Sequence, residues 1–147
     1  MKERFETFTV LINRISRNVR KIKNREMAEY NLRSSHISCL YYLYSAEELT
    51  ATELCERCEE DKATISRALD FLEENGFIIC KTYSAKRYKS PLVLTEKGRK
   101  VGKKIFDKIE DVLDKVSVGL SESERLAFYK SLAIISDNLE KITQNIK

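Results

Sequence analysis

Asp61-Lys62-Ala63-Thr64-Ile65-Ser66-Arg67-Ala68-Leu69-Asp70-Phe71-Leu72-Glu73-Glu74-Asn75-Gly76-Phe77-Ile78 reads as one capped helix running into the start of a strand. Asp61 is the N-cap candidate, and the helix runs to about Glu74. Asn75-Gly76 ends it, because these residues enter the left-handed conformation at little steric cost. At about 100° per residue, Ile65, Ala68, Leu69 and Leu72 share one face and form core. The early outward surface then presents Lys62, Ala63, Thr64, Ser66 and Arg67. These are the groups an element entering a DNA major groove needs. Small residues allow close backbone approach, hydroxyls bond to phosphates or base edges, and an Arg spans two acceptors of a guanine. Glu73 and Glu74 fall at the far end, where a docked helix points away from DNA. An ordinary surface helix also carries mixed charges, so the flanking segments decide between the two readings.

Upstream, Thr50-x-x-Glu53 is a capping box that opens a helix of two turns to about Arg57. Before it, Ser34 or Ser35 is the expected cap of a helix to about Tyr44, burying Ile37, Leu40 and Tyr41 or Leu43. Downstream the hydrophobic period changes. Residues 77–83 read as a strand, 84–90 as a polar basic connection, and Pro91-Leu92-Val93-Leu94 as a short return strand. Thr95 caps the next helix. The order of helix, helix, helix, hairpin, helix is that of a winged helix-turn-helix. Lys86, Arg87 and Lys89 cluster at the hairpin tip, where they are either a solvated loop or a second contact to a phosphate backbone or minor groove.

The ends of the chain are long amphipathic helices. Phe5, Phe8, Ile12, Ile15, Val19 and Ile22 recur at spacings of 3 and 4 on the first. Leu132, Ile135, Leu139, Ile142 and Ile146 repeat the pattern on the last. Val101, Ile105, Ile109, Val112 and Val116 mark a third helix, separated from the last by Gly119 and a Ser121-Glu122-Ser123-Glu124 cap. The expected fold is therefore mainly α with a small β-hairpin. No internal repeat or linker is visible, so residues 1–147 read as a single domain.

Bulk properties narrow the function. One proline and four glycines in 147 residues agree with long helices. No apolar run approaches the roughly 18 residues of a membrane span, and Met1-Lys2-Glu3-Arg4-Phe5 lacks a secretory pattern, so a cytoplasmic protein is expected. Net charge is +4, yet residues 34–95 carry seven basic against ten acidic residues. Local basic patches matter more than this average, because screening limits charge effects to about 10 Å. There is no phosphate loop, nucleophile elbow or metal-ligand cluster, and His36 is the only histidine, so no enzyme, metal site or cofactor is expected. Cys55-x-x-Cys58 lies on a helix with no second ligand pair. These two thiols, with Cys39 and Cys80, read as small core hydrophobes rather than metal ligands or redox sensors.

Residues 32–98 resemble the winged helix-turn-helix of the multiple antibiotic resistance regulator (MarR) family. The matching stretches are Leu49–Arg57, Asp61–Ile78 and Leu94-Thr95-Glu96-Lys97-Gly98. The terminal helices fit that family's layout as well. The resemblance implies a homodimer held by residues 1–30 and 96–147, with a DNA-binding lobe at 32–95. It also implies a pseudo-palindromic double-stranded operator, repression as the usual mode, and response to a small effector. Carried onto this chain, the DNA contacts are Thr52, Lys62, Ala63, Thr64, Ser66, Arg67, Lys86, Arg87 and Lys89. The dimerisation residues are Phe5, Phe8, Ile12, Ile15, Leu132, Ile135, Leu139 and Ile142. Tyr30, His36 and Tyr41 are the effector candidates, although each also suits ordinary packing. Two positions depart from the family pattern. Lys86 stands where the wing commonly has an acid, and Glu59 stands where a turn glycine often precedes the recognition helix, so a non-glycine residue must make that turn. Two rival readings are a winged-helix module that binds protein and a subunit of a larger transcription complex.

Overall fold

The computed structural model describes residues 2–82 and 87–146. The chain divides into two compact units, Met1–Lys108 and Ile109–Lys147.

The first unit opens with α1, a continuous helical run over residues 2–26. It is α-helical at Lys2–Glu6, π-helical at Thr7–Leu11 and α-helical again at Ile12–Glu26. Thr7 and Thr9 donate their hydroxyls to the carbonyls of Glu3 and Phe5, at 2.7 and 2.6 Å. Such back-bonding bends helices, and it coincides here with the widened turn. After a 3-10 turn at Ala28–Tyr30 come α2 (Ser34–Ala46), α3 (Ala51–Cys58) and α4 (Lys62–Glu74). The sheet has three strands, β1 (Glu48–Leu49), β2 (Ile78–Cys80) and β3 (Leu92–Leu94), in the order β1-β3-β2 and antiparallel throughout. Ile78 pairs with Leu94, Cys80 and Leu49 both face Leu92, and Glu48 faces Val93. The hairpin expected from the sequence is thus present with shorter strands, and β1 extends it to a sheet.

Ile37, Leu40 and Leu43 of α2, Leu54 of α3, and Ile65, Ala68, Leu69 and Leu72 of α4 are buried, with Ile78, Leu92, Leu94, Val101 and Ile105 beneath them. Each fully buried Leu or Ile contributes about 1.5–3 kcal/mol. Leu43, not Tyr41, is the α2 residue that completes this core; Tyr41 is half-buried and stacks on Phe106, with ring centres 5.5 Å apart.

The cap of α2 differs from expectation. Its N-cap is Arg33, and neither Ser34 nor Ser35 fills that role. The Arg33 N–H donates to His36 Nδ1 at 3.0 Å, and the Ser34 N–H donates to Asn24 Oδ1 of α1 at 3.0 Å. A neighbouring helix and a histidine therefore satisfy the free donors of the first turn.

The helix α5 (Glu96–Val116) begins where Thr95 ties three elements together. The Thr95 hydroxyl donates to the Gly76 carbonyl at 2.6 Å and accepts from the Gly98 N–H at 3.0 Å. A Cβ on Gly98 would lie 1.9 Å from the Phe77 carbonyl oxygen, so only glycine fits this approach.

In the second unit, α6 (Glu122–Gln144) starts at the expected capping box. The Glu124 N–H donates to Ser121 Oγ at 3.2 Å and the Ser121 N–H to Glu124 Oε2 at 2.7 Å. Gly119 makes the preceding turn at φ +95°.

Candidate nucleic-acid interface

The α3–turn–α4 segment is assembled by local chemistry. Thr50 caps α3 reciprocally with Glu53, whose carboxylate accepts the Thr50 N–H at 2.7 Å and is held below its ordinary pKa by that bond. The helix ends at Cys58, and Glu59 takes the left-handed conformation, φ 53° and ψ 41°. A non-glycine residue therefore does make this turn, at a backbone cost of roughly 1–2 kcal/mol. Two residues later Asp61 caps α4, its Oδ1 accepting the Thr64 N–H at 2.7 Å. That hydrogen bond also holds the Asp61 carboxyl below its usual range.

The geometry of α4 is the one its periodicity implies. Ile65, Ala68, Leu69 and Leu72 are buried, while Lys62, Ala63, Ser66 and Arg67 are exposed and Thr64 is half-exposed. Arg67 reaches back to Thr64, with Nη2 3.4 Å from the hydroxyl, and nothing in the chain covers its outer face. The small and cationic residues thus lie together on one open surface.

The foot of the wing adjoins this surface. A 3-10 turn at Arg87–Lys89 carries Tyr88, whose ring centre lies 5.7 Å from Lys62 Nζ and 5.9 Å from Lys89 Nζ. Cations favour the negative face of an aromatic ring at such distances. The Thr52 hydroxyl donates to the Tyr88 carbonyl at 3.4 Å, linking α3 to the same turn. Tyr88 is the residue that sequence reasoning missed; its one signal was an aromatic set between Arg87 and Lys89. Thr52, Lys62 and Lys89 are therefore brought to one place. Arg87 contributes its backbone to the turn, and Lys86 lies outside the described residues. Between α3, α4 and the wing foot is a mainly apolar cavity of about 330 Å³, lined among others by Ala51, Cys55, Ile65, Leu69 and Tyr88.

The three effector candidates are not gathered. Tyr30 accepts a hydrogen bond from Lys104 Nζ at 2.8 Å, beside the Lys108–Glu26 ion pair. Tyr41 stacks on Phe106. His36 stacks on Phe71 of α4 at 4.4 Å, and burial lowers its pKa, assisted by the charge of Arg33. Only His36 lines a cleft next to the exposed α4 face, a space of about 380 Å³ shared with Arg33, Thr64, Arg67 and Phe71.

The dimerisation candidates lie open in each unit. Phe5, Phe8, Ile12 and Ile15 on α1 are exposed, Phe5 at 72%. Leu132, Leu139 and Ile142 on α6 are exposed, Ile135 is half-exposed, and no described residue of α6 is buried. Among the described residues no cluster of potential metal ligands occurs, and no helix is long and apolar enough to cross a membrane. Of the four free cysteines, Cys39 is fully buried, whereas Cys55, Cys58 and Cys80 are half-buried and so only partly fit a core role.

Comparison with known proteins agrees with this geometry. Residues 32–80 match the model of the MarR family. The "Uncharacterized HTH-type transcriptional regulator YwoH" of Bacillus subtilis (strain 168) is 27% identical over 117 residues, covering 80% of this chain and 85% of that protein. A putative MarR family transcriptional regulator from Listeria monocytogenes, solved complexed with 26mer DNA, superposes with a TM-score of 0.80 at 26% identity, covering 92% of this chain and 93% of that one. NMB1585, a MarR family regulator from Neisseria meningitidis, shares the fold with a TM-score of 0.83 at 22% identity, covering 97% and 99%. With its capped α3–α4 pair, its three-stranded wing sheet and its long terminal helices, the chain belongs to the MarR family of winged helix-turn-helix proteins.

Proposed function

We propose that this protein is a sequence-specific regulator of transcription, a repressor, that binds a pseudo-palindromic operator in double-stranded DNA as a homodimer. The observation that carries the reading is the outward face of α4, where Lys62, Ala63, Ser66 and Arg67 are open while Ile65, Ala68, Leu69 and Leu72 are buried. The DNA-bound structure of the Listeria relative supports the same role for this chain.

In this reading α4 enters the major groove with its N-terminal half against the bases, and Arg67 reads a guanine. Lys62 and Lys89, held on either side of Tyr88, and the wing residues Lys86 and Arg87 neutralise phosphates. The open apolar faces of α1 and α6 meet those of a second copy, which fixes the separation of two α4 helices at about one DNA turn, 34–36 Å. An effector acts only through a difference in affinity between DNA-competent and incompetent spacings. The cleft at His36 shares Thr64 and Arg67 with the reading face, so a small molecule seated there competes with DNA.

A salt-titrated mobility shift on DNA upstream of the protein's own gene tests the reading. Specific binding with a steep loss of affinity on raising salt supports it. Binding that is absent, or indifferent to salt, favours a winged-helix module that recognises protein, to which the acidic balance of residues 34–95 is suited.

A further inference from the structure

Two of the four cysteines are neighbours. Cys39 of α2 is completely buried, and its side chain is hydrogen-bonded to that of Cys58, the last residue of α3. Cys58 is half-buried, so an oxidant reaches it first. The ammonium of Lys23, anchored on Ser38 Oγ at 3.1 Å, places a positive charge near Cys58. The bond from Cys39 is the larger influence lowering the Cys58 thiol pKa, with Lys23 adding to it against burial, while Cys39 is pushed up. Cys58 is thus the thiolate of the pair and Cys39 the buried proton donor. Cys55 is raised by burial, and the Cys80 thiol is engaged with the Thr82 carbonyl at 3.1 Å.

We propose that Cys39 and Cys58 are a redox pair that closes to a reversible intramolecular disulfide on meeting a peroxide, and that closure weakens DNA binding. The second half rests on the function proposed above; the first does not. The Cys58 thiolate attacks one peroxide oxygen, the O–O bond breaks, and the departing hydroxide takes a proton to become water, leaving a sulfenic acid. Cys39 loses its proton and attacks the Cys58 sulfur; the S–O bond breaks and a second water leaves. Two thiols are oxidised and one peroxide is reduced to two waters. Hydrogen-bonded sulfurs lie well beyond the bond length of about 2.05 Å, so closure draws the end of α3 toward α2. That end leads through Glu59, already left-handed, to the Asp61 cap, so the shift is delivered to Lys62–Arg67.

The test treats the whole reduced protein with hydrogen peroxide and maps its peptides by mass spectrometry without reduction. In parallel, affinity for operator DNA is measured before oxidation, after it, and after dithiothreitol. The expected result is a Cys39–Cys58 linked peptide, loss of two of the four titratable thiols, and an affinity loss of roughly tenfold or more that dithiothreitol reverses. Cys58→Ser removes the response, and Cys55→Ser keeps it. Because the wild-type map needs no variant, a misfolded substitution does not obscure the outcome. Oxidation at other cysteines without the linked peptide, or no reaction at all, overturns the pair. A linked peptide with unchanged affinity overturns the regulatory half. If the reduced protein binds no DNA, the proposed function fails while the peptide map still decides the chemistry.

Discussion

Arg67 is the residue on which base reading depends. It is exposed on the one face of α4 that is free of core contacts, and its guanidinium is restrained only by Thr64. Arg67→Ala is expected to lower operator affinity by about 1–3 kcal/mol and to relax one base position, as measured by titration against operator variants. Two further positions are structural. Gly98→Ala drives a methyl into the Phe77 carbonyl, whereas Gly76, at φ +75°, has open space around it. Gly98→Ala should therefore cost more, roughly 1–3 kcal/mol in urea unfolding, than the ~1 kcal/mol expected of Gly76→Ala. His36 sets a pH dependence. Its folded pKa lies below the ordinary 6.5, so between the two values the unfolded chain binds more protons. The stability contributed is full above 6.5 and is lost as pH falls through the folded value. Thermal unfolding from pH 7.5 to 5 should show a smaller loss of stability in His36→Gln than in the wild type. The Arg67, Gly76 and Asp61 assignments were legible because each rests on local spacing. His36 as a cap was not, since it also needs Asn24 of α1 and the ring of Phe71, which only the folded chain supplies.

At the scale of elements, the helices followed from their apolar periodicity and their caps, with Thr50, Asp61 and Ser121 all capping as their spacing implied. What escaped was set by partners distant in sequence. Strand β1 has two residues and exists through its pairing with β3, so it carries no alternation of its own. The π-helical turn at Thr7–Leu11 leaves the 3-and-4 spacing of apolar residues intact and so gave no sign of itself. Tyr88 gained its role only when the wing foot folded back against α3 and α4. The wing acts through charge on phosphates, and Lys89 is its described cation. Lys89→Ala should weaken binding about equally across sequences and reduce the slope of log affinity against log salt by about 1, read from mobility shifts at several salt concentrations. A change confined to one operator sequence would instead assign Lys89 to base reading.

The whole molecule is reached through its unpaired apolar faces. Soluble proteins rarely leave contiguous apolar stripes of this length open to water, and both α1 and α6 do so. A charge placed in either stripe, Ile15→Glu or Leu139→Glu, should convert the dimer to a monomer in light scattering and remove high-affinity operator binding, while leaving the α2–α4 core folded by circular dichroism. An unchanged mass would remove these helices from the interface. The amphipathic stripes were plain in the sequence, because their periodicity is that of a helix seam; what covers them is a second chain, which no single sequence displays. The most direct measurement of the central claim is selection of bound duplexes from a random DNA pool. The account predicts enrichment of an inverted repeat whose half-sites lie about one helical turn apart, with one base in each half released from selection by Arg67→Ala. Failure to enrich any sequence, or an identical motif from Arg67→Ala, would contradict it.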